Sequence, residues 1–481
     1  MIKIPQRPSA ESAGAKTSSG AESQYSASEQ YPDECATPSL PQPKTVEETG
    51  LEQQLIVELV AKIIFIGGKV HLPVLVSKLR LSIKILCKVL DFMIAEQLVE
   101  VAWRGTSDID VQYQLTSVGK ARTVLYLERS AYVGPAPVTL EAYRAMVLRQ
   151  TWHKAGGRLA RITSADLAMA FDDDFLEHSV QDLIGAAMHS GRSIFLYGPA
   201  GSGKTTLARK LGRLLQGTIL VPCAVLVEQE IIQIFDPLYH LQPTPAPERA
   251  REHFSSDSRW NLCQRPLVRG GAELSEEMLD LRYDAFGGCY LAPLHLKANN
   301  GIFIADDLGR QRVSATDLLT RFSQGLDLRI DQLTLRGGHK FFVPFDVTSI
   351  FVSNMTPQSL FDESFVRRLA YKIPVDALSV NNYRKLFRKQ CQSSRVVFDE
   401  EVMCHLLDEL HGGNGCALLA SYPRELLGRI VDYAGFAGLP PQMTMASIDR
   451  AWSSLFGPCQ RGMAAGGPRM NAEPSDLFER I

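Results

Sequence analysis

One octapeptide restricts this chain more than anything else in it: Gly198-Pro199-Ala200-Gly201-Ser202-Gly203-Lys204-Thr205, preceded by the apolar run Ser193-Ile194-Phe195-Leu196-Tyr197 and followed by Thr206-Leu207-Ala208-Arg209-Lys210-Leu211. The order is strand, glycine-rich loop, helix, which a phosphate-cradling P-loop requires. Glycines let backbone N–H groups close round phosphate oxygens with no Cβ in the way, and the helix N-terminus adds partial positive charge. Residues Gly198 through Thr206 are therefore expected to hold a nucleotide. Lys204 is expected at the β- and γ-phosphates, and the Thr205 hydroxyl as a ligand of Mg²⁺.

A second element follows about a hundred residues later, where Gly301-Ile302-Phe303-Ile304-Ala305 is an apolar strand ending in Asp306-Asp307. A carboxylate at such a strand tip can hold Mg²⁺ through its water shell, and the next one can orient or deprotonate an attacking water. Asp306 is the expected metal residue and Asp307 the expected water-positioning one. Farther on, Thr348-Ser349-Ile350-Phe351-Val352-Ser353-Asn354 is again an apolar strand with a polar end, and Phe365-Val366-Arg367-Arg368-Leu369 carries paired arginines. Ser421-Tyr422-Pro423-Arg424 opens a helical run, proline being suited to a first turn.

In this order the elements resemble those of AAA+ ATPases, over roughly residues 190 to 456. The resemblance implies an α/β P-loop core with a parallel sheet and a C-terminal helical lid, ATP and Mg²⁺ as cofactors, and ATP hydrolysis. It implies Asn354 as sensor 1, Arg424 as sensor 2, and Arg367 or Arg368 as an arginine finger for the neighbouring subunit's γ-phosphate, with Arg368 slightly favoured. A finger in trans implies a homo-oligomer, a ring such as a hexamer. Asp307 departs from the family's commoner Glu, being one methylene shorter. Asp306-Asp307-Leu308-Gly309-Arg310-Gln311 is similar to the MoxR-like branch, with Arg310 facing a neighbour's nucleotide or making a local ion pair.

At 481 residues the chain is long enough for two or three folded units. Its 45% hydrophobic and 22% charged residues are globular proportions, and a net charge of −2 provides no overall attraction to nucleic acid or anionic membrane. No run approaches the roughly 18 apolar residues of a membrane span, so a cytoplasmic location without membrane association is expected. The 9 cysteines form no Cys-x-x-Cys pair, and reduced, mostly buried thiols are expected.

Residues 1–44 and 457–481, rich in Ser, Ala, Gly and Pro, are expected as disordered tails. Residues 45–130 show helix, helix, helix and hairpin in an order that resembles a winged helix-turn-helix. Either DNA or an unknown protein client is a possible partner for that module, the near-balanced charge favouring protein, with Lys78, Arg80 and Arg104 available to phosphates. Residues 131–185 read as a connector, 186–376 as the ATPase core and 377–456 as the lid. Between the two carboxylate-bearing and phosphate-binding elements, the stretch from Gly217 to Asn300 is long, and Phe235, His240, Asp257, Trp260 and Arg269-Gly270-Gly271 point to an elaborated subdomain. Tyr290 within it reads as a core tyrosine more readily than as a client-gripping aromatic. His240 and His295 lack partners at metal-ligand spacing. The functional expectation is an oligomeric remodelling motor. The alternatives are an ATP-switched DNA-binding regulator and a nucleotide-binding scaffold with little turnover.

Overall fold

The computed structural model describes residues 40–107, 109–151, 162–171, 176–243 and 256–457. Its first helix, α1 (Gln53–Gly67), buries Ile56, Leu59, Val60 and Ile63 at three- and four-residue spacing and ends where Gly68 takes a positive φ of 69°. There follow β1 (Lys69–His71), α2 (Leu72–Leu79), α3 (Ile83–Ala95), β2 (Val99–Arg104), β3 (Val111–Leu115) and α4 (Ser117–Arg129), the strands forming a sheet in the order β1-β3-β2. Thr116 caps α4 by accepting the Gly119 N–H. A Cβ on Gly119 would lie 1.9 Å from the Leu98 carbonyl oxygen, so only glycine lets α4 pack this close to the sheet.

This module does not close on itself at residue 130. Tyr132, Ala136, Ala224, Ile231 and Cys289 belong to the same apolar core as α1–α4. The expected connector is likewise no passive link. Its β4 (Val138–Thr139) pairs with β7 (Ala224–Val227) at the edge of a five-stranded sheet, and α5 (Leu140–Arg149), capped by Thr139, packs beside it. The expected N-terminal tail also ends earlier than residue 44: Pro41 bridges to Ser256, the Asp257 N–H donates to Leu40, and Pro43 is buried. Proline-rich segments have little entropy left to lose, and a sheet edge can order them. Residues 1–39 and 458–481 lie outside the described residues.

Helices α6 (Ser164–Phe171) and α7 (His178–Ser190) lead into β5 (Ile194–Tyr197) and α8 (Lys204–Leu211). The elaborated stretch then supplies β6 (Thr218–Pro222), β7, β8 (Glu230–Gln233), β9 (Trp260–Gln264), β10 (Leu267–Gly270), β11 (Arg282–Asp284), β12 (Cys289–Leu291) and α9 (Leu294–Lys297). After it come β13 (Gly301–Ala305), α10 (Ala315–Leu328), β14 (Ile330–Thr334), β15 (Lys340–Pro344), β16 (Val347–Ser353), α11 (Pro357–Leu360), α12 (Glu363–Arg368) and β17 (Tyr371–Pro374). The β6–β9 pair, the β14–β15 hairpin and the sheet holding β7 share one core that includes Tyr143, Trp260, Tyr290, Leu333 and Phe341. Tyr290 is thus a core residue, 3% exposed.

The central sheet is five-stranded, ordered β10-β13-β16-β5-β17, and parallel throughout. Both faces are covered, which is why its strands read as unbroken apolar runs. The period of two still shows. Ile194, Leu196, Ile302, Ile304, Ile350 and Val352 face one core with α6–α8, while Phe195, Phe303 and Phe351 face the other with Leu318 and Phe322 of α10. The lid comprises α13 (Val380–Ser394), α14 (Glu400–His405) continued by a π-helical stretch Leu406–Gly412, α15 (Tyr422–Ala437) and α16 (Met445–Phe456), around Tyr383, Phe387, Leu426 and Trp452. The architecture is α/β, a parallel sheet covered on both faces and followed by a helical lid. Among the described residues no helix is long and apolar enough to cross a membrane.

Candidate nucleotide site

In the central sheet the chain order reverses beside β5: β16 lies on one side and β17 on the other. Ligands bind such sheets in the crevice at the carboxyl ends of the strands at this switch point. The Gly198–Lys204 loop leaves β5 there. Gly198, Gly201 and Gly203 have φ of 146°, 84° and 99°, and a Cβ on Gly198 would stand 2.3 Å from the Val375 carbonyl oxygen. Gly203 precedes α8, whose first residues are Lys204, Thr205 and Thr206.

A cavity of about 540 Å³ opens over the loop. Ala200 through Leu207 line it from below, Asp307, Arg310 and Asn354 from the strand ends, and Leu386, Gln390, Ser421 and Arg424 from the lid. The lid is hydrogen-bonded to the loop through the Ser421 N–H and the Gly201 carbonyl, 3.0 Å apart. Lys204 is buried and donates to the carbonyls of Gly198 and Pro199 at 3.0 and 2.7 Å. Burial pulls its pKa below the usual lysine value, against the opposing pull of Asp307 and Asp306.

Beneath the loop, Asp306 is fully buried, and its Oδ1 accepts the Thr205 hydroxyl at 2.9 Å and the Asp307 N–H at 3.1 Å. A hydroxyl and a carboxylate so placed fit a Mg²⁺ site completed by phosphate oxygens and water. Among the described residues no group of three or more His, Cys, Asp or Glu could hold a metal ion without such outside ligands. Asp307 follows the strand with φ 55°. Aspartate tolerates this left-handed region better than most side chains because its short carboxylate can bond locally. The position after Asp307 is strapped to the end of β16: the Leu308 N–H donates to Val352 O, and the Ser353 hydroxyl to Leu308 O. Asn354, which follows Ser353, lines the same cavity as Asp307.

Of the residues expected from sequence, the fold brings Ala200 to Thr206, Asp307, Asn354 and Arg424 to one cavity, with Gly198, Pro199 and Asp306 immediately behind it. Arg367 and Arg368 do not reach it. Both sit at the end of α12, Arg367 paired with Glu363, and Arg368 with Asp327 at 3.1 Å and over the Phe365 ring. Arg310 lines its own chain's cavity. Arg80, expected to be free for phosphates, instead donates to Cys223 Sγ, Ser258 O and Asn261 Oδ1, its fork held by the elaborated stretch.

Sequence reasoning also gave no role to Arg269, which stands on β10 opposite Ile304, donates from Nε to Asp306 Oδ2 at 3.0 Å and holds the same oxygen in an ion pair through Nη2 at 2.7 Å. An arginine ending an apolar strand was the available signal, but strand pairing was needed to interpret it.

Comparison with known proteins adds likenesses at low identity. No curated protein matches the chain in sequence. A family described as a domain of unknown function (DUF8689) matches residues 379–454, within the lid. Among solved structures, the chain is similar to a RuvB mutant of Thermotoga maritima at 12% identity and a TM-score of 0.36, covering 59% of this chain and 72% of that one. It is similar to NtrX of Brucella abortus in complex with ATP at 15% identity and a TM-score of 0.37, covering 70% of this chain and 64% of NtrX, less than two thirds of its length. The Thermotoga maritima RuvB Holliday junction branch migration motor gives 11% identity and a TM-score of 0.32, over 64% of this chain and 73% of that one.

Proposed function

We propose that this chain binds ATP with Mg²⁺ in the cavity between core and lid, hydrolyses it within a homo-oligomeric ring, and uses the cycle to remodel a protein client. The observation carrying this reading is the convergence of Lys204, Thr205, Asp307, Asn354, Arg310 and Arg424, drawn from both core and lid, on one cavity. Mg²⁺, when bound, neutralises phosphate charge. Lys204 leaves the carbonyls of Gly198 and Pro199 to meet the β- and γ-phosphates. Asp307 accepts a proton from, or orients, the attacking water, and Asn354 holds that water from the end of β16. Arg424 senses the nucleotide from the lid, so that core and lid rotate with occupancy. The acidic pair followed by Arg310 supports a MoxR-like assignment, with Arg310 acting on its own chain's nucleotide.

Arg367 and Arg368 lie on the surface away from their own cavity, the placement a finger for a neighbour needs. The N-terminal module has the element order of a winged helix. The solvent face of its α3 mixes Ile83, Phe92 and Ile94 with Lys84, Lys88 and Asp91. A face half apolar and carrying a net charge of only +1 among those residues suits protein docking better than phosphate contact. Cytoplasmic residence belongs to the same proposal.

The test is ATP turnover together with oligomeric mass for wild type, Lys204→Ala and Arg368→Ala. Turnover that requires Lys204, and an Arg368→Ala defect partly rescued by mixing with Lys204→Ala subunits, is expected of shared sites. A wild type that binds ATP tightly but stays monomeric and inert would overturn the motor reading.

A further inference from the structure

Both carboxylate oxygens of Asp306 are engaged. Its Oδ1 takes the Thr205 hydroxyl and the Asp307 N–H, and its Oδ2 takes the Nε–H of Arg269, whose Nη2 stands in ion-pair contact with the same oxygen at 2.7 Å. Two donors fill Oδ1, so a metal-bound water must compete with the guanidinium for Oδ2. The donors differ in how easily they can leave. Thr205 and Asp307 are held by α8 and by the strap to β16, whereas the Arg269 side chain is 47% exposed.

The backbone carrying Arg269 cannot withdraw. The Asp306 N–H donates to Gly270 O at 2.9 Å, and Gln311 Nε2 spans Gly270 O and Asp306 O at 3.3 and 2.8 Å, locking the ends of β10 and β13 together. Release is therefore a side-chain rotation. An acidic neighbour is already at hand in Glu273, whose carboxyl is held below its usual range by hydrogen bonds from Gly271 and its own N–H, with smaller pulls from Arg269 and Arg312.

Resting on the ATP-site reading above, we infer that Arg269 is a built-in competitor of Mg²⁺: its guanidinium clamps Asp306 when no metal–nucleotide complex is bound and must swing out before Asp306 can hold the metal's water shell. Arg269 is a positioning residue in this scheme, setting the metal concentration at which the site loads.

The experiment titrates Mg²⁺ against calorimetrically measured ATP binding to the full chain, for wild type, Arg269→Met and Arg269→Lys, with thermal denaturation confirming that each is folded. Removing a close charge partner from Asp306 is expected to lower the half-saturating Mg²⁺ about tenfold in Arg269→Met. Arg269→Lys should fall between the two, since an ammonium keeps the charge but not the fork. ATP binding in EDTA should change less than binding in Mg²⁺. An unchanged or raised Mg²⁺ requirement in folded Arg269→Met, with wild type binding normally, would overturn this inference and leave the ATP site standing. Failure of the wild type to bind ATP with or without Mg²⁺ would overturn the site reading and this inference together.

Discussion

Asp307 shows how one residue joins conformation to chemistry. Its φ of 55° turns the chain out of β13 and presents its carboxylate to the cavity while its N–H serves Asp306. A glutamate there would have a longer reach but a left-handed backbone it adopts reluctantly, at a cost of about 1–2 kcal/mol. The shorter acid is thus matched to its turn. Asp307→Asn is expected to keep ATP binding and lose turnover by about 10²- to 10⁴-fold, the range for removing a general base. Single-turnover hydrolysis beside equilibrium binding checks this, and undiminished turnover would remove Asp307 from the chemistry. The loop, the acidic pair and Asn354 were legible in the sequence because each must end an apolar strand. The contact of Arg269 with Asp306 was not, because an arginine's partner depends on which strands lie side by side.

Among the elements, the β14–β15 hairpin is tied to α9 and α10 by ions as well as by its apolar residues. Asp331 on β14 accepts from His295 at 2.7 Å and from Arg321 at 2.5 and 3.0 Å, and Arg321 also holds Asp280. Burial alone would raise the Asp331 pKa, but the hydrogen bonds and charges of His295 and Arg321 outweigh it and hold it at about 2. A carboxyl depressed on folding contributes stability that is complete above its unfolded pKa and lost as pH falls through its folded one. Roughly 2 kcal/mol should therefore disappear between about pH 4 and pH 2. Asp331→Asn is expected to flatten that part of the pH–stability curve, measured by denaturant unfolding, and an unchanged slope would assign the acid sensitivity elsewhere. Neither His295 nor Asp331 announces this pairing in sequence, being 36 residues apart.

Across the whole molecule, the N-terminal module and the elaborated stretch behave as one packed body. Arg259 forms a buried pair with Asp257 and donates from Nη1 to the carbonyls of Thr49 and Pro137 at 3.1 and 3.2 Å, joining three distant parts of the chain. Removing one partner of a buried ion pair costs about 3–5 kcal/mol because the other charge is left uncompensated. Arg259→Met is expected to lower the melting temperature and to make segments near Thr49 and Pro137 exchange amide hydrogens faster. Unchanged exchange there would mean the modules are held by their shared apolar core alone. By itself the sequence determined the phosphate loop, the buried parallel strands, the lid helices and the order of elements in the N-terminal module, since glycine spacing and apolar periodicity act over a few residues. Only the tertiary structure decided that residues 131–151 complete a sheet, that Arg80 and Arg259 fasten modules, that Arg310 faces its own cavity and that Arg269 clamps Asp306. Those outcomes depend on strand order and long-range burial, which place residues tens to hundreds of positions apart within hydrogen-bonding distance.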